Sequence, residues 1–232
     1  YHLLCSFVMI EINHNVYGDI YGYNPDDAEL YRSYGNIFYS KTFSEALNYL
    51  TSQNIVLDDF GYPLIIFLSK KIFGDYFLTS IVFFNALAVG FASVFLHKLA
   101  SIFIPKIYSS FIAIAWGIMP YGVYTTAAGL KENFFALFII LSFYYLYRAI
   151  KVRNVNSYVL FILFTFITFL FRLVIGYAIV LAFFSFIILN NKYILKYYKY
   201  VILFIVFIIP LVFRFIGLYI INQRGYEFDV LL

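Results

Sequence analysis

Residues 158–171 read YVLFILFTFITFLF, an unbroken apolar run without a charge, and a single arginine, Arg172, separates it from a second such run at 173–189. Similar runs recur at about 76–97, 107–124, 133–150 and 200–221. A helix crosses a bilayer on roughly 20 apolar residues, so these runs are either spans or nearly so. The 232-residue chain is 64% hydrophobic and 24% aromatic, and only 12% of it is charged, with a mean hydropathy of +0.87. A soluble domain carries about a quarter charged residues. The sequence therefore predicts an all-α, polytopic transmembrane helix bundle of about six to seven spans.

Several function classes drop out at once. One cysteine, Cys5, cannot form an internal disulfide framework, and His2, His14 and His97 are too scattered for a zinc motif. The net charge of +4 is not gathered into a basic cluster that would read as a nucleic-acid surface.

Charge placement predicts the orientation. The breaks at 97–106, 148–153 and 190–199 hold Lys98, Lys106, Arg148, Lys151, Arg153, Lys192, Lys196 and Lys199, half of the 16 basic residues, and no acid. All 12 acids fall in the other set of loops. Counting crossings puts the basic breaks on one side, which the positive-inside rule makes the cytoplasm. The count works only if 158–189 is a hairpin of two short helices turning near Arg172. Tyr144, Tyr145, Tyr147, Tyr193, Tyr197, Tyr198 and Tyr200 flank the breaks as an interfacial belt would.

The sequence reads as one transmembrane domain, 1–232, with an extracytoplasmic loop at 13–75 and a bundle at 76–222. The first apolar run, 1–12, is short for a crossing, and no initiator Met precedes it. The chain is thus expected to be a piece of a longer one. Within the loop, 37–50 has the spacing of a helix lying on the membrane surface, and 61–74 is a second interfacial segment, with Pro63 as its first helical residue.

The candidate chemistry lies on the acid-bearing side. Asp26-Asp27-Ala28-Glu29 places carboxylates in the first loop; a carboxylate there can act as general base on a hydroxyl or hold a divalent cation against phosphate oxygens. The plainer reading is an acidic first turn of a helix, capped by Asn24 or Asp26. Asp58-Asp59-Phe60-Gly61-Tyr62-Pro63 is either a loop entering a helix or a second polar cluster. Lys131-Glu132 opens a helix between long apolar runs; Glu132 suits the positive end of the helix dipole, and Lys131 can face an anionic headgroup or phosphate. Arg172 can snorkel to headgroups or pair with an anion, as can Arg224 further on. Arg214 lies deeper in its run than snorkelling easily explains.

Taken in order, these features resemble the GT-C superfamily of polytopic glycosyltransferases, which use polyprenyl-phosphate-linked sugars. The resemblance rests on Asp26-Asp27 with Tyr31 after the first helix, Gly61-Tyr62-Pro63-Leu64, Gly129-Leu130-Lys131-Glu132 before a helix ending Tyr144-Tyr145-Leu146-Tyr147-Arg148, and Phe171-Arg172. The nearest groups are the protein mannosyltransferase and aminoarabinose transferase type, with EpsG/Wzy-like polysaccharide polymerases as the close alternative. The resemblance implies inverting transfer at the extracytoplasmic face, with Asp26 or Asp27 as the base. Lys131, Glu132, Arg172, Asp59, Tyr62 and Arg224 would then surround the lipid phosphate. It further implies a glycan, lipid or protein acceptor, no organic cofactor, a possible divalent cation (Mg or Mn), and a prokaryotic plasma (inner) membrane. A single Pro63 stands where transferases often have two prolines, and Lys131-Glu132 stands where polymerases often have Arg-Gln. A lipid-linked saccharide flippase is a weaker fit, because few ionisable residues line the runs themselves.

Overall fold

The computed structural model describes residues 1–18, 25–52, 60–152 and 154–190, and all regular structure among them is helical. The helices are α1 (His2–Tyr17), α2 (Pro25–Phe38), α3 (Phe43–Ser52), α4 (Gly61–Phe73), α5 (Phe77–Ala100), α6 (Lys106–Ile118), α7 (Pro120–Ala127), α8 (Glu132–Val152), α9 (Val155–Phe171) and α10 (Leu173–Asn190), with a 3₁₀ turn at Gly74–Tyr76. Stretches 61–100, 106–127 and 132–152 are long and apolar enough to cross a membrane, and α9 and α10 are shorter apolar helices. The expected span at 200–221, with Arg214, lies outside the described residues.

The burial pattern is that of a protein dissolved in lipid. On α9, Ser157, Thr165 and Thr168 are buried while Val159, Ile162 and Phe166 are exposed. On α5, Ser80 and Asn85 are buried while Phe83, Leu87, Phe91 and Val94 face outward. Lipid rewards neither burial of apolar groups nor exposure of polar ones, so small and polar residues gather between helices. The chain is an integral membrane helix bundle.

The hairpin expected at Arg172 is present. Arg172 has extended backbone (φ −158°, ψ 101°), and α10 folds back on α9 with Phe161 against Phe183 (5.3 Å) and Phe169 against Tyr177 (5.0 Å). Two of the three basic breaks, 97–106 and 148–153, meet at one end of the bundle: Phe103 packs on Tyr147 (5.9 Å), and Lys98 and Lys151 lie over the rings of Phe95 and Tyr147. The third, at 190–199, lies outside the described residues apart from Asn190.

Elsewhere the structure redraws the expected elements. α1 continues to Tyr17 rather than ending near Ile12, because helical hydrogen bonding does not need apolar side chains; it stops where Gly18 takes the left-handed conformation (φ 71°). The expected surface helix at 37–50 is two helices, parted by a capping box in which Thr42 and Glu45 bond reciprocally: the Thr42 N–H donates to Glu45 Oε2 (2.7 Å), and the Glu45 N–H to Thr42 Oγ1 (3.4 Å). α4 begins at Gly61, so Pro63 is its third residue rather than its first. The span expected at 107–124 breaks at Met119, which is held extended by the following Pro120.

The break expected between the interfacial segment 61–74 and the run from 76 is present, and it is a reversal of the chain. Asn85 donates to the Tyr62 hydroxyl (3.3 Å) from 23 residues away, a separation of about 35 Å along a straight helix. Gly74, at φ 56°, turns the chain so that α4 lies back along α5. Lys70, buried beneath the rings of Tyr39 and Phe77, donates to the exposed Asp75 carboxylate (3.2 Å) across the turn. α2, α3 and α4 thus form a cap over the start of α5. Its core joins Tyr31, Tyr34, Phe38, Leu50, Tyr62, Ile66 and Phe77 to Phe171 at the α9–α10 corner.

Candidate functional site

The site is built around Tyr62, which is 0% exposed. Its ring touches α2 through Tyr31 (4.7 Å between centroids), α8 through Phe134 (6.0 Å) and the α9–α10 corner through Phe171 (6.5 Å). Its hydroxyl donates to the Gly129 carbonyl in the α7–α8 turn and accepts from Asn85 of α5. One side chain therefore gathers the segments that bear the sequence candidates: the acidic helix α2, the Lys131-Glu132 turn and the Arg172 corner.

Gly61 makes this convergence possible. A Cβ there would stand 2.6 Å from the Phe171 ring, so only glycine lets α4 approach the corner this closely.

The turn that presents Lys131 is held from both sides. Gly129, at φ 65°, closes α7 with paired bonds from Gly129 N to Thr126 O (3.1 Å) and Leu130 N to Thr125 O (2.9 Å), the pattern of a Schellman cap. On the α8 side, buried Asn133 accepts from Thr125 Oγ1 (3.1 Å) and donates to Thr126 Oγ1 (2.8 Å). Lys131 between them is only 5% exposed, and Glu132 is half-buried. A charge carried at membrane depth is costly, and the amides of a helix start favour an anion beside it.

The remaining candidates are placed as follows. Asp26 and Asp27 occupy the first turn of α2, where the helix dipole favours acids; the structure describes their backbone only. Arg172 is exposed beside the buried Phe171, its N–H bonded to the Thr168 carbonyl (2.8 Å). Asp59 and Arg224 lie outside the described residues. Tyr62, expected beside the lipid phosphate, is instead wholly enclosed, with its proton committed to Gly129. Among the described residues no three His, Cys, Asp or Glu side chains converge; the Asp26, Asp27 and Asp59 side chains lie outside the described ones. A cavity of about 310 Å³ opens beside the centre, lined by Phe7, Tyr31, Arg32, Ile66, Leu78 and Gly129 among others.

Asn85, Asn133, Thr125 and Thr126 were not singled out by the sequence. A polar residue inside an apolar run is a signal that could have found Asn85. Its partner, Tyr62, is visible only in the fold.

A membrane bundle with a buried polar centre under a folded cap, at the end away from the basic loops 97–106 and 148–153, defines an integral membrane protein of the helix-bundle class. Comparison with family models narrows the class. The chain belongs to the dolichyl-phosphate-mannose-protein mannosyltransferase family, whose model matches residues 60–213, about two thirds of the sequence. This makes it a member of a membrane glycosyltransferase family, as the resemblance implied. The match begins after α3, so Asp26 and Asp27 lie outside it. No curated protein and no solved structure matches the chain.

Proposed function

We propose that the protein transfers a sugar from a polyprenyl-phosphate-linked donor to an acceptor hydroxyl at the extracytoplasmic face of a prokaryotic plasma membrane. The observation that carries this reading is the convergence on Tyr62 of the α2 helix, the Lys131 turn and the Arg172 corner. A transfer from a lipid-linked phosphate has a hydroxyl proton to remove and a phosphate to hold. Asp26 or Asp27 removes the proton from the acceptor hydroxyl as its oxygen attacks the anomeric carbon. The bond from that carbon to the phosphate oxygen breaks on the opposite face, which inverts the configuration. The phosphate leaves carrying the negative charge, and Lys131 and Arg172 stabilise it there. Glu132 takes the positive end of the α8 dipole, while Asp59 and Arg224 complete the donor side. Tyr62 holds these parts together and does not itself meet the phosphate. Asp26 and Asp27 would be the residues to hold a Mg or Mn ion, which would supply charge neutralisation to the leaving phosphate; chelation of the membranes tests it.

The test is the identity of the lipid product. Purified protein in liposomes is given polyprenyl-phosphate sugar with an added acceptor mixture, and the lipids are resolved by mass spectrometry. Free polyprenyl phosphate together with a glycosylated acceptor is the expected result. A lengthened lipid-linked glycan would instead identify an EpsG/Wzy-like polymerase. Intact donor moved to the other leaflet would identify a flippase.

A further inference from the structure

We propose that Asn85 is a positioning residue for the lipid-phosphate site, acting on Lys131 through the Tyr62 hydroxyl and the Gly129 carbonyl. The proposal rests on the transfer reading above, in which Lys131 meets the phosphate.

Asn85 is 0% exposed in the middle of an apolar helix, and its Nδ2 donates both to Tyr62 (3.3 Å) and to the Ile81 carbonyl of its own helix (3.2 Å). Its Oδ1 is buried with no partner. A buried, half-satisfied amide destabilises a helix packed in lipid, and an apolar side chain of the same size would fill the space without that cost. What the amide supplies is direction. The Tyr62 oxygen accepts from Asn85, so its single proton points at Gly129. A hydroxyl that both accepts and donates is also the stronger donor.

Gly129 is the left-handed residue of the α7–α8 turn, two positions before Lys131. Fixing its carbonyl fixes the rotation of the Gly129–Leu130 peptide, one residue before Lys131. Asn133 anchors the far side of the same turn to Thr125 and Thr126. The lysine is therefore clamped from α8 by Asn133 and from α4 and α5 by the Asn85–Tyr62 relay. The second clamp also carries the ring contacts to α2 and to the Arg172 corner, so it sets Lys131 relative to the rest of the site.

The experiment measures binding of polyprenyl phosphate, and of uncharged polyprenol as control, to the purified full chain in nanodiscs. The variants are Asn85→Leu, Tyr62→Phe, Lys131→Ala and the double variant Asn85→Leu/Lys131→Ala. Tyr62→Phe keeps the ring packing and serves if Asn85→Leu does not fold. Loss of one positioning hydrogen bond is expected to weaken polyprenyl phosphate binding about threefold to tenfold in each single relay variant. Polyprenol binding is expected to be unchanged. Adding Asn85→Leu to Lys131→Ala is expected to cost no further affinity, because the relay acts only through the lysine. Equal weakening of polyprenol, additive losses in the double variant, or no effect of either relay variant while Lys131→Ala does weaken binding would overturn the positioning role alone. Unchanged phosphate binding in Lys131→Ala would overturn the transfer reading with it.

Discussion

Alanine at Gly61 should destabilise the protein while alanine at Gly90 stabilises it, although both glycines sit in helices. Replacing a helical glycine by alanine gains about 0.5–1 kcal/mol, since glycine loses more backbone entropy on folding. At Gly90 nothing lies within 4 Å of the new methyl, so this gain is all that changes. At Gly61 the methyl would lie 2.6 Å from two carbons of the Phe171 ring and 3.1 Å from the Leu170 carbonyl oxygen. Carbon atoms settle at about 3.5–4.0 Å, so the ring must retreat by about 1 Å. Phe171 is 2% exposed and has Tyr62 and Phe138 against it, so it has nowhere to go. Overpacking of this kind costs about 1–3 kcal/mol, which leaves a net loss of about 1–2 kcal/mol after the helix gain. Thermal unfolding of the purified protein in detergent reads the difference. Gly61→Ala should lower Tm by about 2–6 °C and Gly90→Ala should raise it by about 1–3 °C. A rise in Tm for Gly61→Ala would refute the packing of the α9–α10 corner on α4, and with it the geometry of the site.

Further outcomes follow from single contacts. Asn133→Ala leaves Thr125 and Thr126 without their amide partner, and should lower stability by about 2 kcal/mol in the same unfolding assay. The Glu45 carboxyl is held below the ordinary carboxylate range by the Thr42 N–H and then by its hydroxyl. Its contribution to α3 is therefore complete above that range and fades as pH falls through the depressed value. Amide protection over 43–52, taken as the exchange rate relative to the intrinsic rate at each pH, should fall on acidification in the wild type, and Thr42→Val should blunt that response. Arg172→Gln removes a charge from an exposed site and should leave Tm within about 0.5 kcal/mol equivalent of wild type. In the transfer assay the same variant should show a raised KM for the lipid-linked donor.

The sequence carried the membrane class and the hairpin at Arg172, because each depends on patterns local to one or two runs. Thr42 and Glu45 stand at capping-box spacing and Pro120 sits inside an apolar run, but the apolar periodicity on either side reads through both, and the structure breaks the helix at each. The α4–α5 reversal was a different matter. The sequence parts the segment 61–74 from the run at 76–97, but Gly74 gives no hint of direction until its backbone is seen. Once α4 lies back along α5, Tyr62 and Asn85 meet and Tyr62 changes from a candidate ligand contact to the centre of the packing. A residue such as Asn85 looks like an isolated polar fault in an apolar run. Its role depends on a partner that only the fold supplies.

The proposed sugar transfer requires a carboxylate in the first turn of α2 as its base. Initial rates of transfer from polyprenyl-phosphate sugar, in membranes holding equal amounts of folded wild type, Asp26→Asn or Asp27→Asn, test that most directly. One of the two substitutions should lower the rate by about 10²–10⁴-fold, the range for loss of a general base, while polyprenyl phosphate binding persists. Wild-type rates in both variants would contradict it.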